Sequence, residues 1–207
     1  MANFVSIFRI FVALIGVYLL FIHTTVAYLT AFVLIIVAFI LDGVDGYLAR
    51  KFHEESELGS VLDIMGDRIV ENALWIVMAI LGYLAGNNLA LNALFPIICI
   101  SRAFTVDSIR SVALSKGYTA FGANTMQKSA IGKFICASRF MRISYAVAKV
   151  MAFVILILAH TPAIEGMTFS PILNLTGIIL AWIAIIFCVV RGLPVIFEAK
   201  SVLDSDK

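Results

Sequence analysis

The sequence predicts an all-α integral membrane protein with six transmembrane helices. Of its 207 residues, 62% are hydrophobic and only 14% are charged, whereas soluble domains are roughly half apolar. Residues 10–41 carry no charge at all. About 32 helical residues would measure nearly 50 Å, which is too long for one crossing of a hydrocarbon core of about 30 Å. The chain therefore contains several spans, which we expect to form a single domain over residues 1–207.

Polar or glycine-containing turns divide the chain into the six predicted spans, at 4–22, 26–50, 59–85, 89–114, 141–160 and 172–191. Residues 115–140 interrupt the apolar pattern with glycines and basic residues, which indicates a cytosolic connection with room for a short interfacial helix. Residues 192–207 are expected to form a polar C-terminal tail.

The basic residues predict the orientation. If the six spans alternate, the three loops on the far side are 23–25, 86–88 and 160–171, and none contains Lys or Arg. All 15 basic residues lie towards the other side, which the positive-inside rule makes cytosolic. We therefore expect both termini, and any site formed by residues 42–67, to face the cytosol at a cell inner membrane or an equivalent membrane.

Four aspartates stand out at the cytosolic ends of spans two and three. Asp42 and Asp45 share one face of span two, and Asp63 and Asp67 share one face of span three. A short loop joins these spans, so they must be antiparallel neighbours. Counted inward at 1.5 Å per residue, Asp45 and Asp63 lie about 9 and 8 Å deep, and Asp42 and Asp67 both lie about 14 Å deep. The four carboxylates are therefore expected to meet in two layers.

Such a cluster needs compensating positive charge. A carboxylate at membrane depth costs on the order of 3 kcal/mol unless it is paired or metal-bound. Four adjacent carboxylates would repel one another, whereas two divalent cations carry the matching charge and prefer hard oxygen ligands. We therefore predict that these four aspartates bind two divalent cations, Mg²⁺ or Mn²⁺.

The residues beside the aspartates indicate a phosphorylated substrate. Gly46 and Gly59 share the carboxylate face and leave room for a ligand to approach the backbone. Arg50 lies one turn further out and offers a guanidinium that suits a phosphate. Two metals beside an arginine and open glycines favour a phosphoanhydride over a bare ion, because two-metal sites promote phosphoryl displacement.

Together these residues form the pattern Asp42-x2-Asp45-Gly46-x2-Ala49-Arg50-x8-Gly59-x3-Asp63-x3-Asp67. It resembles, position for position, the signature of the CDP-alcohol phosphotransferase family of integral membrane enzymes. The resemblance implies six transmembrane helices, two divalent metals, a CDP-linked donor that is usually CDP-diacylglycerol, release of CMP, and a homodimer. It implies that Asp67 is also the base for the acceptor hydroxyl. The CDP moiety would be bound by Gly46, Ala49, Arg50 and Gly59. All eight positions are intact, which argues against a scaffold that has lost catalysis.

Two further stretches bear on the acceptor alcohol. Asn3-x2-Ser6-x2-Arg9 is similar to the entry to the first span in the phosphatidylglycerophosphate synthase branch of that family, with Ser in place of Thr. A weaker resemblance to that branch covers residues 100–133, where Ala103 replaces a common Glu. The resemblance implies sn-glycerol 3-phosphate as the acceptor. Inositol phosphate, serine or another polar alcohol are the alternatives.

A phosphorylated acceptor requires cations near the metal centre. Six basic residues could bind its phosphate: Arg9, Arg102, Arg110, Lys133, Arg139 and Arg142. The alternative for each is an ordinary flanking cation whose side chain reaches lipid headgroups.

A divalent-cation transporter would also use intramembrane carboxylates, and it is the alternative from another functional class. It predicts acidic residues near the midplane and often inverted repeats, whereas these aspartates cluster near one face and the sequence shows no repeat. We therefore expect CDP-diacylglycerol, a polar alcohol and membrane lipids as partners, and no nucleic acid.

Overall fold

The computed structural model describes residues 2–52, 57–118, 126–127 and 129–203, and these residues contain helices and turns but no strand. The helices are α1 (Ala2–Leu19), α2 (Thr25–Lys51), α3 (Glu57–Ile80), α4 (Leu89–Ser115), α5 (Ala130–Ala137), α6 (Arg139–Ala159), α7 (Pro162–Glu165) and α8 (Ser170–Leu203). The all-helical prediction is confirmed, and a long helix occupies each of the six predicted span positions.

Within the described residues, four segments are long and apolar enough to cross a membrane: Thr25–Gly46, Leu89–Ser115, Ala130–Ala159 and Ser170–Lys200. With the shorter apolar helix Asn3–Leu19, they fit an integral membrane protein. The expected number of six spans is not confirmed. The mean hydropathy of helix α3 is lower than that of the four segments, because α3 carries Asp63, Asp67, Arg68 and Glu71.

Glycines in the left-handed conformation end two of the helices. Helix α3 stops at Ile80, earlier than the predicted end of its span at residue 85. Gly82 there has a φ of 75°, and the amide of Tyr83 donates to the carbonyl of Met78 at 3.0 Å. Helix α4 ends in the same way at Gly117, whose φ is 84°. A residue with a Cβ would be strained at either position, so the sequence dictates where these helices stop.

The connection between spans four and five contains the expected short helix, α5. Its N-cap is Ser129, whose hydroxyl accepts a 2.9 Å hydrogen bond from the amide of Gly132. Residues 119–125 and 128 of the connection lie outside the described residues.

Helix α8 continues to Leu203, well past the predicted end of span six at residue 191. The expected polar tail is therefore helical over most of its length. Its apolar residues explain the extension, because Val195 and Ala199 are buried.

The chain forms two compact units. The first comprises Met1–Ala93 and Phe153–Ile178, and the second comprises Leu94–Ala152 and Ile179–Lys207. In the first unit, Trp75 packs edge-on against Phe153 with ring centroids 4.6 Å apart.

Close helix packing and aromatic contacts stabilise both units. In the first, a Cβ on Gly16 of α1 would lie only 3.0 Å from Ile35 of α2, so the missing side chain lets these helices approach. In the second, Phe95 packs edge-on against Trp182 with centroids 4.8 Å apart. These contacts hold the helices that carry the polar residues described below.

A polar cluster lies at the turns of the first unit. Buried Tyr28 forms a hydrogen bond with the hydroxyl of Tyr83, and the His160 ring stacks on Tyr83 with centroids 3.7 Å apart. The Nδ1 atom of His160 lies 2.9 Å from the Leu156 carbonyl oxygen. That oxygen can only accept, so Nδ1 carries the proton. Burial lowers the pKa of His160, outweighing the opposing effects of the Leu156 carbonyl and Glu165.

Candidate active site

Two helices bring three of the predicted metal ligands together. Asp42 lies on α2, while Asp63 and Asp67 lie one turn apart on α3. One carboxylate oxygen from each of the three lies within 4.8 Å of the others. Carboxylate oxygens are hard ligands, so this group could bind a divalent cation.

Asp45, the fourth aspartate, has different surroundings. Its side chain is 3% exposed, compared with 40% for Asp42 and 54% for Asp63. The Ser6 hydroxyl on α1 donates a 2.7 Å hydrogen bond to Oδ2 of Asp45. The other oxygen, Oδ1, is buried and has no hydrogen-bond partner among the described residues. A buried acceptor without a partner is costly. Asp42, Asp63 and Asp67 fit a site for a divalent metal, and the place of Asp45 in that site stays a prediction.

The Arg9 side chain of α1 reaches into this cluster and contacts all four aspartates. Its Nη1 lies 3.2 Å from Asp67 Oδ1 and forms an ion pair with Asp42. Its Nη2 lies 3.1 Å from Asp63 Oδ1, and its Nε lies 3.6 Å from Asp45 Oδ2. The sequence assigned Arg9 to the acceptor phosphate, and that assignment stays a prediction. The structure shows Arg9 as the partner of the aspartates, only 3% exposed.

Gly66 provides the space that the Arg9 guanidinium needs. It lies on α3 between Asp63 and Asp67, and a Cβ at this position would lie 3.0 Å from Arg9 Nη2. Sequence reasoning missed Gly66, and it named Ser6 only within the pattern that contains Arg9, without a role at the aspartates. The signals available in the sequence were Gly66 beside Asp67, and the Ser6 hydroxyl one helical turn before Arg9.

The predicted CDP-binding residues lie on the same two helices. Gly46 follows Asp45 on α2, Gly59 lies near the start of α3, and both are partly exposed. Ala49 and Arg50 continue the backbone of α2, but their side chains lie outside the described part of the structure. The CDP contacts of these four residues stay a prediction.

Three arginines gather in the second unit. Arg102 and Arg110 on α4 and Arg191 on α8 all lie within electrostatic reach of the Cys136 thiol on α5. The Nε atoms of Arg102 and Arg191 are buried and have no hydrogen-bond partner among the residues that the structure describes. This arginine cluster is a concentration of positive charge suited to an anion.

Arg191 was not among the residues predicted from the sequence. Its guanidinium lies 5.4 Å from the centre of the Tyr145 ring, and its carbonyl accepts a 3.3 Å hydrogen bond from the Cys136 thiol. The adjacent Gly192 leaves room for Arg102, because a Cβ there would lie 3.0 Å from the Arg102 side chain. The signal available in the sequence was an Arg-Gly pair that interrupts the apolar run of the last span.

The other predicted acceptor cations lie on α5 and α6. Lys133 and Arg139 are exposed, and Arg142 is partly buried. Their contact with an acceptor stays a prediction, because each could equally face lipid headgroups.

Comparison with known proteins is consistent with this site. A family model described as CDP-alcohol phosphatidyltransferase matches residues 1–190. A protein of Bacillus subtilis is 29% identical over 167 residues, which cover 81% of this chain and 72% of that protein. A protein of Mycoplasma genitalium is 31% identical over 132 residues, with 56% and 53% covered, and one of Mycoplasma pneumoniae is 32% identical over 95 residues, with 46% and 39% covered. The name of all three is CDP-diacylglycerol--glycerol-3-phosphate 3-phosphatidyltransferase.

The family match includes all four aspartates, both helices that carry them and the α1 residues that contact them. The resemblance found in the signature is thereby confirmed. The chain belongs to the CDP-alcohol phosphatidyltransferase family.

Proposed function

We propose that this protein transfers a phosphatidyl group from CDP-diacylglycerol to sn-glycerol 3-phosphate and releases CMP. The observation that carries the proposal is the approach of the Asp42, Asp63 and Asp67 carboxylates to within 4.8 Å of one another. The names of the three relatives support this donor and this acceptor.

Two divalent cations, Mg²⁺ or Mn²⁺, would be held by Asp42, Asp45, Asp63 and Asp67. When bound, such ions neutralise the charge of a pyrophosphate and of the departing CMP. The partial exposure of Asp42, Asp63 and Asp67 supports this assignment, because a substrate must be able to reach the site. The orphaned oxygen of buried Asp45 supports it as well.

Asp67 is the proposed general base. Its side chain is 51% exposed, so an incoming hydroxyl can approach it. One carboxylate oxygen of Asp67 takes the proton of the acceptor hydroxyl, and the hydroxyl oxygen forms a bond to the phosphorus next to diacylglycerol. The bond between that phosphorus and the oxygen of CMP breaks, and its electron pair leaves with CMP.

The CDP moiety would lie against α2 and α3. Gly46 and Gly59 present no side chain, so the nucleotide can approach the backbone there. Arg50 would pair with the pyrophosphate, and Ala49 would pack against the nucleotide.

The arginine cluster supports an acceptor that carries a phosphate. Arg102 and Arg110 were expected to bind that phosphate, and Arg191 joins them in the same unit. Guanidinium groups form paired hydrogen bonds with phosphate oxygens. A neutral acceptor or serine would leave this positive charge without a role. Inositol phosphate shares the phosphate and stays the alternative acceptor.

The proposal also includes the topology predicted from the sequence. The protein would span the membrane six times as a homodimer, with both termini and the aspartates on the cytosolic side. The family match favours transfer chemistry over the alternative of a divalent-cation transporter.

The test is an acceptor panel with the full chain in detergent micelles. CDP-diacylglycerol and Mg²⁺ are supplied with glycerol 3-phosphate, inositol phosphate, serine or glycerol, while CMP and the lipid product are measured. We expect the fastest CMP release with glycerol 3-phosphate and none after chelation of Mg²⁺. Faster turnover of another alcohol would overturn the proposed acceptor, and full activity without divalent metal would overturn the metal centre.

A further inference from the structure

The positive charge at the centre of the aspartate cluster belongs to the chain itself. The Arg9 guanidinium is almost completely buried and lies within ion-pair distance of all four carboxylates. Its Nη2 also donates to the backbone carbonyl of Asp63 at 3.1 Å. These contacts engage the same side chains that would hold the divalent cations.

Arg9 and divalent cations must therefore compete for these carboxylates. A guanidinium carries one positive charge, and a divalent cation carries two. Two such cations would match four carboxylates better, and they would also repel a guanidinium a few ångströms away, because like charges repel most strongly at short range.

Gly66 of α3 leaves the space beside it that the Arg9 guanidinium occupies. A Cβ at Gly66 would lie 3.0 Å from Arg9 Nη2 and 3.3 Å from Ile10. With any larger residue at this position, the guanidinium would have to shift by a few tenths of an ångström. The α3 backbone is therefore shaped to accept Arg9 between Asp63 and Asp67.

We infer that Arg9 is an internal counter-cation that holds the four aspartates together before metal binds. Divalent cations then displace its guanidinium from the carboxylates. Arg9 is thus a positioning residue, and Gly66 is the position that admits it. This inference rests on the proposed function, because it takes the aspartates as metal ligands.

The test measures Mn²⁺ binding rather than activity. Binding to the full chain in detergent is followed by the electron paramagnetic resonance signal of free Mn²⁺, for the wild type and for Arg9→Met. Removing the competing charge should tighten Mn²⁺ binding at least about tenfold. Arg9→Lys keeps the charge without the planar fork of donors, so its affinity should lie between the two.

Thermal unfolding of the same proteins separates this role from simple packing. In EDTA, Arg9→Met should unfold at a lower temperature than the wild type, because the aspartates lose their counter-cation. Saturating Mn²⁺ should remove most of that difference. A packing role would lower the unfolding temperature equally with and without Mn²⁺, and that result would overturn the inference.

Gly66→Ala tests the inference even if Arg9→Met does not fold. It retains Arg9 but crowds the guanidinium against its carboxylate partners, so Mn²⁺ should bind more tightly. Gly43→Ala is the matched control, because a Cβ at Gly43 of α2 would meet no described atom within 4 Å apart from its own stretch of helix. Both changes gain similar helix propensity, and Gly43→Ala should leave the Mn²⁺ affinity unchanged.

If Mn²⁺ binds Gly66→Ala and Arg9→Met no more tightly than the wild type, the inferred role of Arg9 is overturned. The proposed metal site is unaffected by that outcome. Failure of the wild type to bind Mn²⁺ would instead overturn the proposed metal site, and the inference with it.

Discussion

The hydroxyl of Ser6 on α1 donates a 2.7 Å hydrogen bond to the buried carboxylate of Asp45 on α2. The first helix contains no acidic residue, yet through this bond and through Arg9 it completes the aspartate cluster. The environment of Asp45 therefore depends on a residue outside the aspartate signature.

Ser6→Ala should destabilise the protein by about 1–3 kcal/mol, because it removes the donor to a buried carboxylate. The measurement is thermal unfolding in detergent without divalent metal. Ser6→Thr keeps the hydroxyl and should behave like the wild type. Equal unfolding temperatures for the Ala and Thr variants would show that the hydrogen bond does not stabilise the cluster.

Asp67→Asn should reduce CMP release at least about 100-fold, because an amide has the shape of the carboxylate but cannot accept the proton of the acceptor hydroxyl. Release is measured with CDP-diacylglycerol and glycerol 3-phosphate. The KM for CDP-diacylglycerol and the unfolding temperature serve as controls and should change little. Turnover near the wild-type rate would remove Asp67 from the role of base.

Arg110→Ala and Arg191→Ala should each raise the KM for glycerol 3-phosphate about tenfold or more, because the proposed function gives each arginine a charge-assisted hydrogen bond to the acceptor phosphate. The KM for CDP-diacylglycerol should change much less. Lys200→Ala, at an exposed position of α8, is the matched control and should alter neither constant. Equal increases in both KM values would point to a structural role for the two arginines.

Acid should destabilise the first unit through His160. Because the folded pKa lies below the value of about 6.5 in the unfolded chain, the unfolded state binds more protons as the pH falls. The contribution of His160 to the free energy of unfolding is therefore fully present above about pH 6.5 and is lost as the pH falls below it.

His160→Phe tests this decline. It keeps an aromatic ring to stack on Tyr83 but cannot be protonated. The unfolding temperature should fall between about pH 8 and pH 5 in the wild type and fall less in the variant. Identical pH dependence in the two proteins would assign the acid sensitivity to other groups.

Helix positions and the aspartate pairs were predictable because both depend on local sequence. Hydropathy marks apolar helices, and a 3.6-residue period places Asp63 and Asp67 on one face. Left-handed glycines were the main local signal missed, since Gly82 ends α3 earlier than hydropathy suggests. The extension of α8 was missed because a single arginine was taken as the end of an apolar helix.

The amino-acid sequence by itself determined an all-helical membrane protein and its family, because composition, helical period and the spacing of eight signature residues are properties of short segments. Only the tertiary structure decided that Ser6 meets Asp45 across 39 positions, that Arg9 meets Asp67 across 58, and that Arg191 joins Arg102. The physical reason is that such contacts depend on how each helix is rotated about its axis and packed against its neighbours. No local pattern specifies that rotation.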